Sequence, residues 1–268
     1  MQSPCVPSEL LAIGDTDRVQ SGIMSVAVII PARLAATRLP DKPLAIIAGK
    51  PMIQHVYERA AQASVVERVL VATQDVAILE AVVGFGGDVI MTSPDHRSGT
   101  DRVAEAARSL TMQPGDFDII VNVQGDEPLV DPATIDAAVQ ALRNSDAVMA
   151  SVCCPLPPGR EDDPNVVKVV TDVNGYALYF SRSPLPFRRD MSAPYAPRQH
   201  VGLYVYRREF LTRFPTMAPT PLEQAESLEQ LRVLENGYRI RMVEIAHAPE
   251  SVDTPEDLER VRALFTNA

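Results

Sequence analysis

Three cations crowd one short stretch: Arg33, Arg38 and Lys42 follow an apolar run in "IIPARLAATRLPDKPL", with only Asp41 to offset them. The whole chain carries a formal net charge of -10, so this basic loop is local. Arginine offers a planar fork that grips phosphate oxygens two at a time, and lysine a compact point charge. The stretch therefore suits a small polyanion such as a triphosphate, the plainer alternative being a solvated basic loop. It lacks the GxxxxGK[ST] pattern of a Walker A loop. A second candidate is "VNVQGDEPLV", in which apolar residues run into Gln124, Gly125, Asp126 and Glu127. Neighbouring side chains on extended backbone point to opposite sides, so Asp126 and Glu127 are not expected to face one ligand. Asp126 is the better metal candidate, because Gly125 lets the backbone bend just before it. A third is Asp253, ahead of a helix in "SVDTPEDLERV"; Thr254 already supplies the cap, which leaves this carboxylate to complement the helix dipole or to reach elsewhere. Basic loop and paired carboxylates together fit a nucleoside triphosphate, Mg2+ and nucleotidyl transfer, a chemistry run by positioning and charge neutralisation.

These pieces need a scaffold that brings loops together. After Met24, β-branched runs at residues 25–30, 68–73, 88–91, 118–123 and 147–152 alternate with segments of helical apolar spacing at 51–63, 74–84, 99–110 and 132–143. That alternation predicts βαβ units and a doubly wound, mostly parallel α/β sheet. Ligands of such sheets sit beyond the carboxyl ends of the strands, where the candidate loops fall. The second half changes character. Runs at 166–171, 177–182 and 201–206 read as strands with no long helix between them, and "SPLPFRRDMSAPYAP" reads as a loop. The expected division is therefore a nucleotide-binding domain of residues 24–154 and 216–268 with a smaller antiparallel subdomain of 155–215. Residues 221–237 predict one amphipathic helix stopped by Gly237, 239–245 a strand, and 254–265 a helix opened by Thr254, Pro255 and Asp257. Residues 1–23, with no periodic pattern, are expected to be a disordered extension dispensable for the fold.

Composition excludes several classes. At 268 residues, 46% hydrophobic and 22% charged, the chain reads as globular protein. Its acidity argues against a nucleic-acid partner, and no apolar run approaches membrane-spanning length. Cys5, Cys153 and Cys154 show no CxxC pattern, which fits a reducing cytoplasm, and the scattered histidines His55, His96, His200 and His247 show no zinc spacing, so no zinc site is expected. "GFGGDV" lacks the last glycine of a dinucleotide fingerprint and follows a helix-like run, which argues against a dehydrogenase.

Eight stretches in order resemble the 3-deoxy-manno-octulosonate (Kdo) cytidylyltransferases: the basic loop, "GKPMIQHVYERA", "SPDHRSGTDRVAEA", "VNVQGDEPLV", "YFSRSPLPF", "HVGLYVYRREFL", "PLEQAESLEQLRVLENGYRI" and "VDTPEDLERVRA". The resemblance runs from about residue 25 to the C-terminus. It implies a sheet of nucleotidyltransferase type with a smaller dimerisation subdomain, and transfer of CMP from CTP to Kdo with loss of pyrophosphate, for lipopolysaccharide synthesis in the cytoplasm. It further implies Mg2+ on Asp126 and Asp253, and phosphates on Arg33, Arg38 and Lys42, which with Asp126 form the catalytic set. Ser98, Gly99, Thr100 and Gln124 are implied at the nucleotide, Arg182, His200, Tyr204, Glu229 and Gln230 at the sugar acid, and a homodimer in which Leu185, Pro186 and Phe187 are candidate contacts. Each residue also has a plain structural reading: caps for Ser98 and Thr100, strand packing for His200 and Tyr204, a solvated helix face for Glu229 and Gln230. "APESVDTP" differs from the family's usual glycine-rich approach to the second aspartate and predicts a stiffer, more acidic loop there. Two other functions stay open on sequence: a cytidylyltransferase for amino-Kdo or a sialic acid, and a silent nucleotide-binding regulator.

Overall fold

The computed structural model describes residues 24–35, 38–110, 117–190, 192 and 194–266; the expectation for residues 1–23, and Cys5 with it, lies outside them. The apolar runs become strands β1 (Val26–Ala32), β2 (Arg68–Thr73), β3 (Asp88–Met91), β4 (Ile119–Asn122) and β5 (Met149–Pro155). The helical spacings become α1 (Met52–Ala60), α2 (Val76–Gly84), α3 (Gly99–Leu110) and α4 (Pro132–Arg143). The later chain adds β6 (Lys168–Thr171), β7 (Ala177–Ser181), β8 (Arg198–Arg207), α5 (Arg208–Arg213), α6 (Pro221–Glu226), α7 (Gln230–Glu235), β9 (Ile240–Glu244) and α8 (Pro255–Thr266).

One nine-stranded sheet runs β9-β5-β8-β4-β1-β2-β3, with β6 and β7 hanging from β8. Pairs β1–β2, β1–β4, β2–β3 and β5–β9 are parallel. β8 is antiparallel to both β4 and β5. The sheet is mostly parallel in its first half because each helix there returns the chain to the same edge. Val26 through Ile30 are wholly buried, as a strand covered on both faces requires. One core joins β1, β2, β4 and β8 to α1, α2 and α4; the other, on the opposite face, joins them to α3, α5 and α7.

Two expectations shift. The strand foreseen inside the smaller subdomain, residues 201–206, lies in the central sheet between β4 and β5; only β6 and β7 form an antiparallel annex, paired through the start of β8. The helix foreseen over 221–237 breaks at Ser227, whose backbone is left-handed (φ 53, ψ 50). Helical spacing cannot reveal that break, because tertiary partners make it. Arg182 at the end of β7 donates from its side chain to the carbonyls of Glu226 (2.8 Å) and Ser227 (3.4 Å). Its backbone amide reaches the Glu226 carboxylate (2.9 Å), as does the Ser181 hydroxyl (2.5 Å). Carbonyls that a continuous helix would use internally are thereby satisfied from outside.

Candidate active site

In sequence order the sheet grows from β1 to β3 on one side, then begins again at β4 on the other side of β1. Strand order reverses there, and the crevice beyond the carboxyl ends of β1 and β4 holds a cleft of about 390 Å3. Pro31 to Arg33 line it from the end of β1, Gln124 to Asp126 from beyond β4, His96, Ser98 and Gly99 from the approach to α3, and Asp253 from the approach to α8.

The basic loop is moored at its start, where the Leu34 amide donates to the Asp75 carboxylate (2.8 Å) just past β2. It then turns inward at Lys42. The Lys42 ammonium lies 2.6 Å from Asp126 and 3.1 Å from Asp253, and Arg38 lies 3.2 Å from Asp253. Burial alone would lower the pKa of Lys42; the two carboxylates outweigh it and raise the pKa above the ordinary lysine value. Arg33 is exposed and forms no hydrogen bond or ion pair among the described residues. Arg102 sits behind it on α3, buried, donating to Thr92 and Gln74. Its pKa is held down first by burial and then partly by the charge of Arg33, though Asp75 pulls the other way. Two guanidiniums, Arg33 and Arg102, thus stand as neighbours at this end of the cleft.

The turn carrying Asp126 is tight. A Cβ on Gly125 would lie 2.9 Å from the Pro31 carbonyl, so the glycine is required by close approach to β1 as well as by the bend. Asp126 faces the cleft, and Glu127 turns to the other side, into a separate cavity of about 300 Å3. Burial and then the charge of Asp126 push the Glu127 carboxyl up to about 8. The expected division of labour between these neighbours is what the structure has. The second aspartate is held too. The Val252 amide donates to the Asp126 carbonyl (2.9 Å), and the Asp253 amide to Asp257 (3.0 Å). The "APESVD" loop thus delivers Asp253 to the cleft, while its acidic Glu250 is occupied by Arg260.

Ser98, Gly99 and Gln124 line the cleft as foreseen, although the Ser98 hydroxyl also caps α3 by accepting from the Asp101 amide (3.2 Å). Thr100 does not line it; it is buried against Tyr206, whose hydroxyl it meets. His200 and Tyr204 lie on β8, their rings 5.4 Å apart. They adjoin the cleft through Gly202, where a Cβ would touch Gln124, and through Tyr204 opposite Asn122, which accepts from Gln124 (3.2 Å). Glu229 lines a third cavity of about 550 Å3 that shares His96 and Ser98 with the cleft. Gln230 is buried, with its amide nitrogen unpartnered among the described residues. Arg182 is the exception. Its guanidinium is spent on the carbonyls of Pro164, Glu226 and Ser227, away from the cleft lining, so the structure makes it a clamp on the Ser227 turn.

Sequence reasoning passed over Asp75, Arg102 and His96. Arg102 had a signal, being one turn into α3 from Ser98, but a helical arginine reads as solvated until its burial is known. Asp75 had none, since its partner is a backbone amide 41 positions away.

The described residues contain no cluster of three or more metal-ligating side chains. The two carboxylates converging on one ammonium nevertheless suit a hard divalent cation, which commonly takes one or two carboxylates and completes its shell with phosphate and water oxygens.

A family model described as cytidylyltransferase matches residues 27–242. The 3-deoxy-manno-octulosonate cytidylyltransferase of Geobacter sulfurreducens is 56% identical over 250 residues, covering 89% of this chain and 98% of the relative. The enzyme of the same name from Solibacter usitatus is 54% identical over 239 residues, 88% of this chain and 93% of the relative. A solved CMP:2-keto-3-deoxy-manno-octonic acid synthetase complexed with CTP superposes with a TM-score of 0.86 at 44% identity, over 91% of this chain and 99% of that one. A Leptospira borgpetersenii cytidylyltransferase, 18% identical at a TM-score of 0.61 over 91% of this chain and 88% of the other, shares the fold. With the cleft at the β1/β4 reversal and its basic loop in place, this chain belongs to the 3-deoxy-manno-octulosonate cytidylyltransferase family.

Proposed function

We propose that the protein transfers the cytidylyl group of CTP to the anomeric hydroxyl of Kdo. The hydroxyl oxygen bonds to the α-phosphorus as the bond to the β-phosphate oxygen breaks; pyrophosphate leaves and the hydroxyl proton passes to solvent. The observation that carries this reading is the meeting of Lys42 with Asp126 and Asp253 beside Arg33 and Arg38, at the carboxyl ends of the reversing strands.

Each group has a task that its position supports. Arg33 has no hydrogen-bond or ion-pair partner among the described residues to give up before gripping phosphate oxygens. Arg38, at 66% side-chain exposure, exchanges a solvated carboxylate for phosphate at little cost. Lys42 offers its ammonium to the same anion while staying charged. Ser98, Gly99 and Gln124 bound the space left for the nucleoside. The sugar acid is assigned to the neighbouring region of His200, Tyr204, Glu229 and Gln230, of which Glu229 lines the cavity beside the cleft. A divalent cation such as Mg2+, held by Asp126 and Asp253, would neutralise phosphate charge and hold the reacting groups in line. We take the enzyme to act in the cytoplasm and to be a homodimer; Phe187, 89% exposed, suits such an association.

Pyrophosphate release with Mg2+ and CTP tests the reading, with Kdo, amino-Kdo or N-acetylneuraminate as acceptor and UTP as control. Release with CTP and Kdo is expected. Release only with another sugar acid moves the specificity, and tight CTP binding without release under any condition leaves a nucleotide-binding regulator.

A further inference from the structure

We propose that Ser151 is a positioning residue for the sugar-acid site, holding His200 as the Nε2–H tautomer so that its Nδ1 atom accepts a hydrogen bond from a substrate hydroxyl. The inference rests on the placement of His200 in the proposed acceptor site.

The device begins with a backbone irregularity. On β8, Val201 pairs with Val152 and Tyr204 with Ser151, so Gly202 and Leu203 are extra residues bulging from the ladder. A bulge leaves carbonyls without ladder partners, and buried carbonyls must find a donor. Ser151, wholly buried on β5, lies opposite the gap. Its hydroxyl oxygen is 2.8 Å from the Leu203 carbonyl, 3.4 Å from the Val201 carbonyl and 2.8 Å from His200 Nε2.

Donor and acceptor counting settles the protons. Carbonyl oxygens only accept, so the single hydroxyl proton of Ser151 goes to Leu203. The hydroxyl can then meet Nε2 only as an acceptor, and Nε2 must carry a proton. In a neutral imidazole the other nitrogen then presents a lone pair. Burial pushes the pKa of His200 down to about 4, so the ring is neutral near physiological pH. Phe180 closes on it edge-to-face at 5.0 Å, and Tyr204 packs at a tilt at 5.4 Å, which fixes the ring plane. No described residue forms a hydrogen bond with Nδ1. A neutral acceptor with a fixed direction suits a hydroxyl of a polyol and does not suit a carboxylate, so His200 would select the hydroxyl pattern of the sugar acid.

The plain structural alternative is that Ser151 only satisfies the bulge. Nitrogen spectra of protein carrying 15N-labelled histidine separate the two, with His200 assigned by the signal lost in His200→Ala. The wild type is expected to show the Nε2–H tautomer near neutral pH, and Ser151→Ala a mixture of tautomers. Loss of one such positioning contact should raise KM for Kdo about tenfold and leave KM for CTP unchanged. In a His200→Ala background, Ser151→Ala should add nothing to KM for Kdo, because the residue through which it acts is gone. An Nδ1–H tautomer or an imidazolium in the wild type overturns the proposal. So does a Ser151→Ala protein that melts lower but keeps the wild-type spectrum and KM for Kdo. Should Ser151→Ala not fold, the wild-type spectrum still decides. That spectrum needs no turnover, so inactivity of the wild type with Kdo would remove the proposed function and leave the tautomer to be judged by itself.

Discussion

Replacing Asp257 by alanine probes the link between a helix cap and the active site. The Asp257 carboxylate accepts from the amides of Asp253 (3.0 Å) and Thr254 (2.9 Å), and the Asp257 amide donates to the Thr254 hydroxyl (3.2 Å). Arg260 adds an ion pair at 2.6 Å. Burial by itself would raise the carboxyl pKa; the hydrogen bonds from Arg260 and the two amides overcome it and lower the pKa to about 2. Against an unfolded value of about 3.9, that gap corresponds to roughly 2.6 kcal/mol if fully realised. The carboxylate is partly open to solvent, so about 1–2 kcal/mol is the reasonable expectation, in line with a helix N-cap. For a chain of this length the melting temperature should fall by about 2–6 °C. The sign follows from a depressed folded pKa: the contribution is present above about pH 4 and fades as pH falls toward about 2. Denaturant melts of both proteins should therefore show a gap at about pH 7 that narrows by about pH 3.5. Because Asp257 also fixes the Asp253 amide, the Mg2+ concentration giving half-maximal activity should rise several-fold with kcat less affected. A stability gap equal at both pH values, or a variant as stable as the wild type at neutral pH, would refute the reasoning.

Other perturbations bear on the cleft directly. Asp126→Asn and Asp253→Asn should each cut turnover about a hundredfold or more while leaving the melting temperature close to wild type, as measured by pyrophosphate release and calorimetry; near wild-type rates in both would sink the metal assignment. Arg38→Ala should raise KM for CTP about tenfold with little change in KM for Kdo, and the opposite pattern would place the loop at the acceptor. Gly125→Ala brings a methyl group to 2.9 Å from the Pro31 carbonyl, so it should lose about 1–3 kcal/mol of stability in denaturant melts along with activity.

The sequence was most legible where a signal is local. Alternating apolar runs and helical spacings located β2, β3, α3 and α4 at the bounds the structure has, because burial on a sheet or helix face is written into neighbouring residue types. The cap of α8 was readable for the same reason: Thr254, Pro255 and Asp257 interact within one turn. The basic loop and the two aspartates stood out as charges at strand and helix ends, and their ordered motifs identified the family. Cys153 and Cys154 are buried strand residues without a disulfide, and burial pushes the Cys153 thiol up to about 11.

What the sequence could not contain is contact across distance. It offered three cations and two carboxylates but not that Lys42 joins Asp126 and Asp253, 84 and 211 positions away, in one ionic cluster. It read residues 221–237 as one helix, since helical spacing persists through Ser227; hydrogen bonds from Ser181 and Arg182 break that helix and use up the guanidinium expected at the sugar acid. It placed residues 201–206 in a separate unit, because strand pairing depends on register with partners far along the chain, and those partners are β4 and β5. Residue types fixed which chemistry was available to this protein. Long-range hydrogen bonding and sheet register, whose free energy comes from pairs that no local window contains, decided which side chains meet to perform it.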